Sequence, residues 1–166
     1  MITNAGFGGG CHWCTEAVFQ SLRGVTQVEQ GFISSDPPHQ AFSEAVSVTW
    51  DPELIGFDDL IAVHLATHAS TSHHKMRGKY RSSVYVKDIA DADAARRIIA
   101  DLAGQTGSVF VTTVLPFRAF KASDARFRNY YDRNREGPFC EAYIEPKLAL
   151  LRERFANLRQ EVAASG

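Results

Sequence analysis

The period of the hydrophobic pattern changes several times along the chain, and each change marks an element. Ile2 to Phe7 reads as a short strand that passes through Gly8, Gly9 and Gly10 into a helix from about Cys11 to Leu22. On that helix Cys11, Cys14, Val18 and Leu22 fall on one face. Gly24 ends it, and Val25 to Phe32 reads as a strand entering the polar loop Ser34 to Gln40, which Pro37 and Pro38 keep out of a sheet. Glu44 to Trp50 then alternates with period two, so Glu44 shares a face with Val46, Val48 and Trp50. Asp58 to Ala66 predicts a helix, Ser70 to Lys79 a loop, and Arg81 to Lys87 a strand. A second amphipathic helix starts at Asp88 or Asp91, runs to Ala103 and is closed by Gly104, with a strand from Ser108 to Leu115 after it. Ser123 is positioned to cap a short helix carrying Phe127, Tyr130 and Tyr131. Pro146 opens a last helix with Leu148, Leu151, Phe155 and Leu158 on its apolar stripe. Helices and strands mix without strict βαβ alternation, which predicts an α+β fold, a mixed β-sheet flanked by helices. No repeat or linker divides the 166 residues, so one domain over 1–166 is expected.

Composition narrows the partners. Formal net charge is −1, from 18 basic and 19 acidic residues with no long run of either sign. Nucleic acid and anionic membranes therefore have no electrostatic footprint on this chain. No apolar stretch is long enough to cross a bilayer, and the first residues lack the pattern of a secretion signal, so a cytoplasmic location is expected. Three cysteines are too few for a disulfide framework and suit redox chemistry or metal binding.

Cys11 stands where a glycine turn becomes a helix, facing unpaired N–H groups that favour a thiolate. The plainer alternative is a small buried hydrophobe, but three glycines in a row argue for an approach path to sulfur. Cys11 and Cys14 form a Cys-x-x-Cys pair, suited to thiol exchange or to half of a zinc site. The other half would come from His64, His68, His73 and His74, which read more simply as a partly exposed helix and loop. Glu44, a carboxyl on an apolar strand face, can hold a proton for use beside an activated thiol.

These pieces resemble one family. Gly10-Cys11-His12-Trp13-Cys14 is similar to the Gly-Cys-Phe-Trp-Gly signature of peptide methionine sulfoxide reductase A. The resemblance continues through Gly31-Phe32, Ser43-Glu44-Ala45-Val46 with Asp51-Pro52, and Tyr80-Arg81-Ser82, and covers most of the chain. It implies a ferredoxin-like core and reduction of methionine sulfoxide, free or in proteins, with the S epimer preferred. Cys11 would attack the sulfoxide sulfur, Glu44 would protonate the oxygen, Tyr80 would hydrogen-bond it, and Trp13 would pack on the S-methyl group. The resulting sulfenic acid would be resolved by Cys140 or Cys14, with Cys140 preferred, and the disulfide reduced by thioredoxin or another dithiol. No metal or organic cofactor is implied, and a monomer is expected.

The sequence departs from the pattern at several points. His12 and Phe32 replace a phenylalanine and a tyrosine in the substrate wall, and Phe127 replaces a histidine while Tyr130 keeps the matching tyrosine. His74 to Lys79 replaces an acidic, polar segment, for which His73 or His74 could substitute a donor. An active reductase with altered substrates fits these changes best. Two other classes compete: a thiol-disulfide oxidoreductase using Cys11 and Cys14, and a non-enzymatic Cys/His metal-binding module.

Overall fold

The computed structural model describes residues 2–72 and 80–160. Six strands form one sheet: β1 (Asn4–Gly8), β2 (Val25–Ser34), β3 (Ser43–Trp50), β4 (Ser83–Val86), β5 (Thr113–Pro116) and β6 (Ala119–Ala122). Their order is β5-β4-β1-β3-β2-β6, with β4 and β5 parallel and every other pair antiparallel. Among the described residues five α-helices accompany them: α1 (His12–Gln20), α2 (Phe57–Ala66), α3 (Ile89–Thr106), α4 (Tyr130–Arg133) and α5 (Glu145–Arg154). The sheet is mixed and helix-flanked, as the alternation of periods predicts.

The main core lies between the sheet and the helices. Phe7, Val46, Val48 and Trp50 from β1 and β3 meet Val18 and Phe19 from α1, Leu22 just after it, and Leu60, Ile61 and Val63 from α2, all at most 2% exposed. On the opposite sheet face a smaller cluster joins Ile33, Ala45 and Tyr85 to Leu115, Phe117 and Phe120. Burying an aliphatic or aromatic side chain from water contributes about 1.5–3 kcal/mol, so the α1–sheet contact is a rigid platform for whatever α1 presents at its start.

Several local expectations are corrected. The second amphipathic helix continues past Gly104 and ends at Gly107, whose φ of 70° supplies the left-handed cap. The stretch 108–112 is not strand: among the described residues its backbone is tied by Val111 N–H to the Ser70 carbonyl and by no ladder before β5 begins. Asp124, not Ser123, caps the turn after β6, accepting from the Arg126 N–H at 3.1 Å. The last helix is preceded by a π-helical turn, Cys140–Ile144, and stops at Arg154, so Phe155 and Leu158 lie beyond it. Strand β6 has no counterpart among the elements that the sequence pattern predicts.

Candidate active site

Strand register brings the functional residues together. Gly8 pairs with Ala45 of β3 and Ser83 of β4, so the chain leaves the sheet from its centre. Gly9 turns it with φ of 147°, and a Cβ there would lie 2.5 Å from the His68 ring. A Cβ on Gly10 would meet nothing within 4 Å. Of the last two glycines, one thus makes room for a packed histidine and only the other leaves space beside the sulfur. Cys11 then caps α1 with non-helical φ and ψ of −60° and 128°.

Half-exposed Cys11 sits at the positive end of α1. A hydrogen bond from the Cys14 thiol, helped by the His12 side chain and the Trp13 N–H, holds the Cys11 thiol well below its ordinary range against the opposing effect of burial. The same contact, together with burial, pushes Cys14 upward, and only Lys147 pulls the other way. Of the pair, Cys11 carries the negative charge and Cys14 the proton.

Glu44, 5% exposed, reaches this sulfur from β3. Its Oε1 accepts from the His12 backbone N–H at 3.4 Å and lies 3.1 Å from His12 Nδ1. The pairs Phe32–Glu44 and Phe32–Lys121 put Lys121, Phe32 and Glu44 in one row across β6, β2 and β3. Side chains in register across neighbouring strands share a sheet face, so all three border the same space.

That space is a cavity of about 550 Å³ lined by Cys11, His12, Trp13, Phe32, Glu44, Tyr80, Phe127 and Phe139, with Lys121 and Asp124 among its polar residues. His12 meets the Phe32 ring edge-on at 5.4 Å. Trp13 stacks flat on Tyr130 at 4.2 Å and is met edge-on by Phe139 at 5.3 Å. A second cavity of about 350 Å³ opens on Cys11, Cys14, His68, Phe139, Tyr143 and Lys147. Cys11, Tyr80 and Phe139 border both.

Of the residues singled out by sequence, Cys11, Glu44, Trp13, His12, Phe32 and Tyr80 converge on the larger cavity. Tyr130 does not line it and instead backs Trp13. Cys14 borders the second cavity. Cys140 is fully buried in the π-helical turn and borders neither. His73 and His74 lie outside the described residues. His64 is 2% exposed, not part of an exposed face, and burial drives its pKa well below the ordinary histidine range. His68 bonds to the His64 carbonyl through Nδ1 and to Ser82 Oγ through Nε2 at 2.8 Å. Since a carbonyl only accepts, His68 carries a proton on Nδ1.

Other supports had no sequence signal. Glu16, 1% exposed, accepts from Asn129 N–H at 3.0 Å, Tyr130 N–H at 3.2 Å and Gln30 Nε2 at 3.2 Å, and so fixes the backbone behind the Trp13–Tyr130 stack. Arg81 donates to Tyr85 Oη and to the Ile33 carbonyl, each at 3.0 Å, which pins the chain beside Tyr80. Lys147 donates to the Thr67 carbonyl from within the second cavity. Their supporting roles are visible only once the distant partners are known.

A family profile described as peptide methionine sulfoxide reductase matches residues 3–159. The chain belongs to that family. It is 35% identical over 167 aligned residues to peptide methionine sulfoxide reductase MsrA of Deinococcus radiodurans, with 91% of this chain and 81% of the relative covered. The fold is similar to that of reduced Mxr1 from Saccharomyces cerevisiae, at a TM-score of 0.70 and 20% identity, covering 84% of this chain and 90% of that one. Mxr1 in complex with Trx2 also matches, at a TM-score of 0.59 and 19% identity over 76% and 83% of the two chains. An MsrA is an oxidoreductase that reduces methionine sulfoxide, and the α+β fold expected for one is the fold found. No helix among the described residues is long and apolar enough to cross a membrane.

Proposed function

We propose that the chain reduces the S epimer of methionine sulfoxide in the larger cavity, with Cys11 as nucleophile and Glu44 as acid. The observation that carries this is the meeting of a favoured thiolate and a buried carboxyl, whose sulfur and oxygen lie within 4.8 Å of each other on the wall of one aromatic cavity. Cys11 attacks the sulfoxide sulfur, Glu44 protonates the oxygen, and the oxygen passes to Cys11 as the thioether leaves. The substrate is reduced by two electrons and Cys11 becomes a sulfenic acid. Trp13 and Phe32 hold the S-methyl end, and Tyr80 is a donor for the oxygen.

Cys14 then attacks the Cys11 sulfenic acid, its thiol proton leaving with the hydroxyl as water. The hydrogen bond already joining the two thiols favours Cys14 over the buried Cys140 for this first resolution. The disulfide then passes to Cys140, the third thiol of the chain. Thioredoxin or a similar dithiol restores the thiols, a partnership supported by the similarity to the yeast protein solved with Trx2.

The test is reduction of the separated epimers, first without reductant and then with thioredoxin. The S epimer should be reduced stoichiometrically by wild type and by Cys14→Ser, and not by Cys11→Ser. Glu44→Gln should slow that turnover by ~10²–10⁴-fold, the usual range for a positioned acid. Recycling should fail in Cys14→Ser. Reduction of the R epimer alone, or a full first turnover by Cys11→Ser, would refute the proposal.

A further inference from the structure

We infer that Cys11, His12 and Glu44 form a zinc-binding site with three protein ligands and a fourth position open to the larger cavity. The thiolate sulfur, an imidazole nitrogen and a carboxylate oxygen all lie within 4.8 Å of one another. Zinc bonds of ~2.0–2.3 Å in a tetrahedron put neighbouring ligand atoms roughly 3–4 Å apart, so closing the site takes shifts of only about 1 Å. His12 Nδ1 and Glu44 Oε1 are already 3.1 Å apart.

The donor set suits this ion. Thiolate, carboxylate and neutral imidazole together balance a divalent charge. The sulfur favours a borderline-soft metal over magnesium or calcium, which take oxygen ligands. Buried imidazole nitrogens normally find partners. The His12 side chain is 10% exposed, and its Nδ1 has no well-angled hydrogen bond among the described residues, although it points at the carboxylate. A metal between them would satisfy it.

The scaffold holds the ligands still. Cys11 and His12 are the cap and first residue of α1, and Glu44 pairs with Phe32 of β2 while its neighbour Ala45 pairs with Gly8 of β1. All three line the cavity, so the fourth position is where water or substrate oxygen can enter. Zinc there occupies the sulfur needed for attack and the carboxylate needed for protonation. Binding and sulfoxide reduction then exclude each other. Binding rests on the ligand geometry alone, whereas its inhibitory effect rests on the reductase reading above.

The experiment titrates fully reduced protein with cobalt(II), then displaces it with zinc(II) and measures zinc affinity by calorimetry. One equivalent of cobalt should give a thiolate charge-transfer band and tetrahedral d–d bands. His12→Phe and Glu44→Gln should each weaken binding beyond the ~10–100-fold that losing an outer-sphere partner costs, while Cys14→Ser retains it. Circular dichroism checks each variant, and if His12→Phe does not fold, Glu44→Gln decides. Wild-type affinity in a folded His12→Phe or Glu44→Gln, or loss of binding in Cys14→Ser, overturns the site. Zinc bound in this way that leaves the first turnover intact would instead refute the role given to Cys11 and leave the site standing.

Discussion

Glu16→Ala removes a single acceptor that three donors share, and its cost can be worked from those contacts. The Asn129 and Tyr130 N–H groups and Gln30 Nε2 lose a carboxylate at 3.0–3.2 Å. Hydrogen bonds to a charged group contribute roughly 1.5–3 kcal/mol each, so the gross loss is about 4.5–9 kcal/mol. Burial offsets part of this. It raises the Glu16 pKa in spite of the three donors, which means that ionisation is less favourable in the folded chain than in the unfolded one. Water can also reach the half-buried Tyr130 backbone once the carboxylate is gone. We therefore expect a net loss of about 2–4 kcal/mol, or roughly 5–15 °C in Tm for a chain of this size. Glu16→Gln keeps one acceptor oxygen and avoids burying charge, so it should cost about half as much. Because Tyr130 stacks on Trp13 at 4.2 Å, the Ala variant should also raise KM for the sulfoxide more than it lowers kcat. Urea unfolding and steady-state kinetics on both variants check this. A Glu16→Ala protein within 0.5 kcal/mol of wild type, a limit of about the size typical of neutral surface changes, would refute the reasoning.

Gly31→Ala should separate β6 from β2, because a Cβ there would lie 2.2 Å from the Lys121 carbonyl and 2.8 Å from the Phe120 ring. Unfolding should show a loss of ~1–3 kcal/mol and KM should rise as the Lys121 wall shifts; unchanged values would mean the two strands are not paired as described. His64 should make the fold acid-sensitive. Its folded pKa is lowered, so its neutral form costs nothing above the unfolded value near ~6.5, and stability falls by about 1.4 kcal/mol per pH unit below that. His64→Leu should flatten the stability profile between about pH 6.5 and 5, and an equal slope in both proteins would count against it. Lys147→Met removes the cation that pulls the Cys14 pKa down, so recycling should slow by about tenfold more than the first sulfoxide turnover, a difference of ~1.4 kcal/mol. Rapid-quench measurement of the two steps distinguishes them, and equal slowing would contradict this role.

What the chain reveals before folding is its local chemistry. Cys11 is legible because glycines and a helix start are neighbours in sequence, and Glu44 because strict alternation puts a carboxyl on an apolar face. Both signals need fewer than ten consecutive residues. The cavity walls depend instead on distant pairing. Lys121 reaches the site only because β6, a four-residue strand, pairs with β2, and four residues carry too little periodicity to announce a strand. Glu16 looks like any solvated helix residue until Asn129 and Tyr130, more than one hundred positions away, supply its donors. His64 and His68 suggest an exposed pair by their spacing alone. His64 is interior because α2 packs its face on Phe7 at 5.2 Å between ring centres, and His68 is half-buried beyond the helix end. The resemblance to MsrA gathers Trp13, Phe32 and Tyr80 into one site, whereas the position of Tyr130 behind Trp13 depends on the packing of α4 against α1.

The adjacency of Phe139 and Cys140 carries a consequence for timing. Phe139 is part of the aromatic wall that meets Trp13 edge-on, and the next residue is a fully buried thiol. Any excursion that delivers Cys140 to another sulfur must drag Phe139 out of that wall. In the proposed cycle substrate grip and late thiol exchange therefore draw on one short segment in opposite directions and exclude each other in time. A Cys140 that accepts the disulfide would loosen the hold on the next methionine sulfoxide, so a single turn of backbone would set the order of the steps.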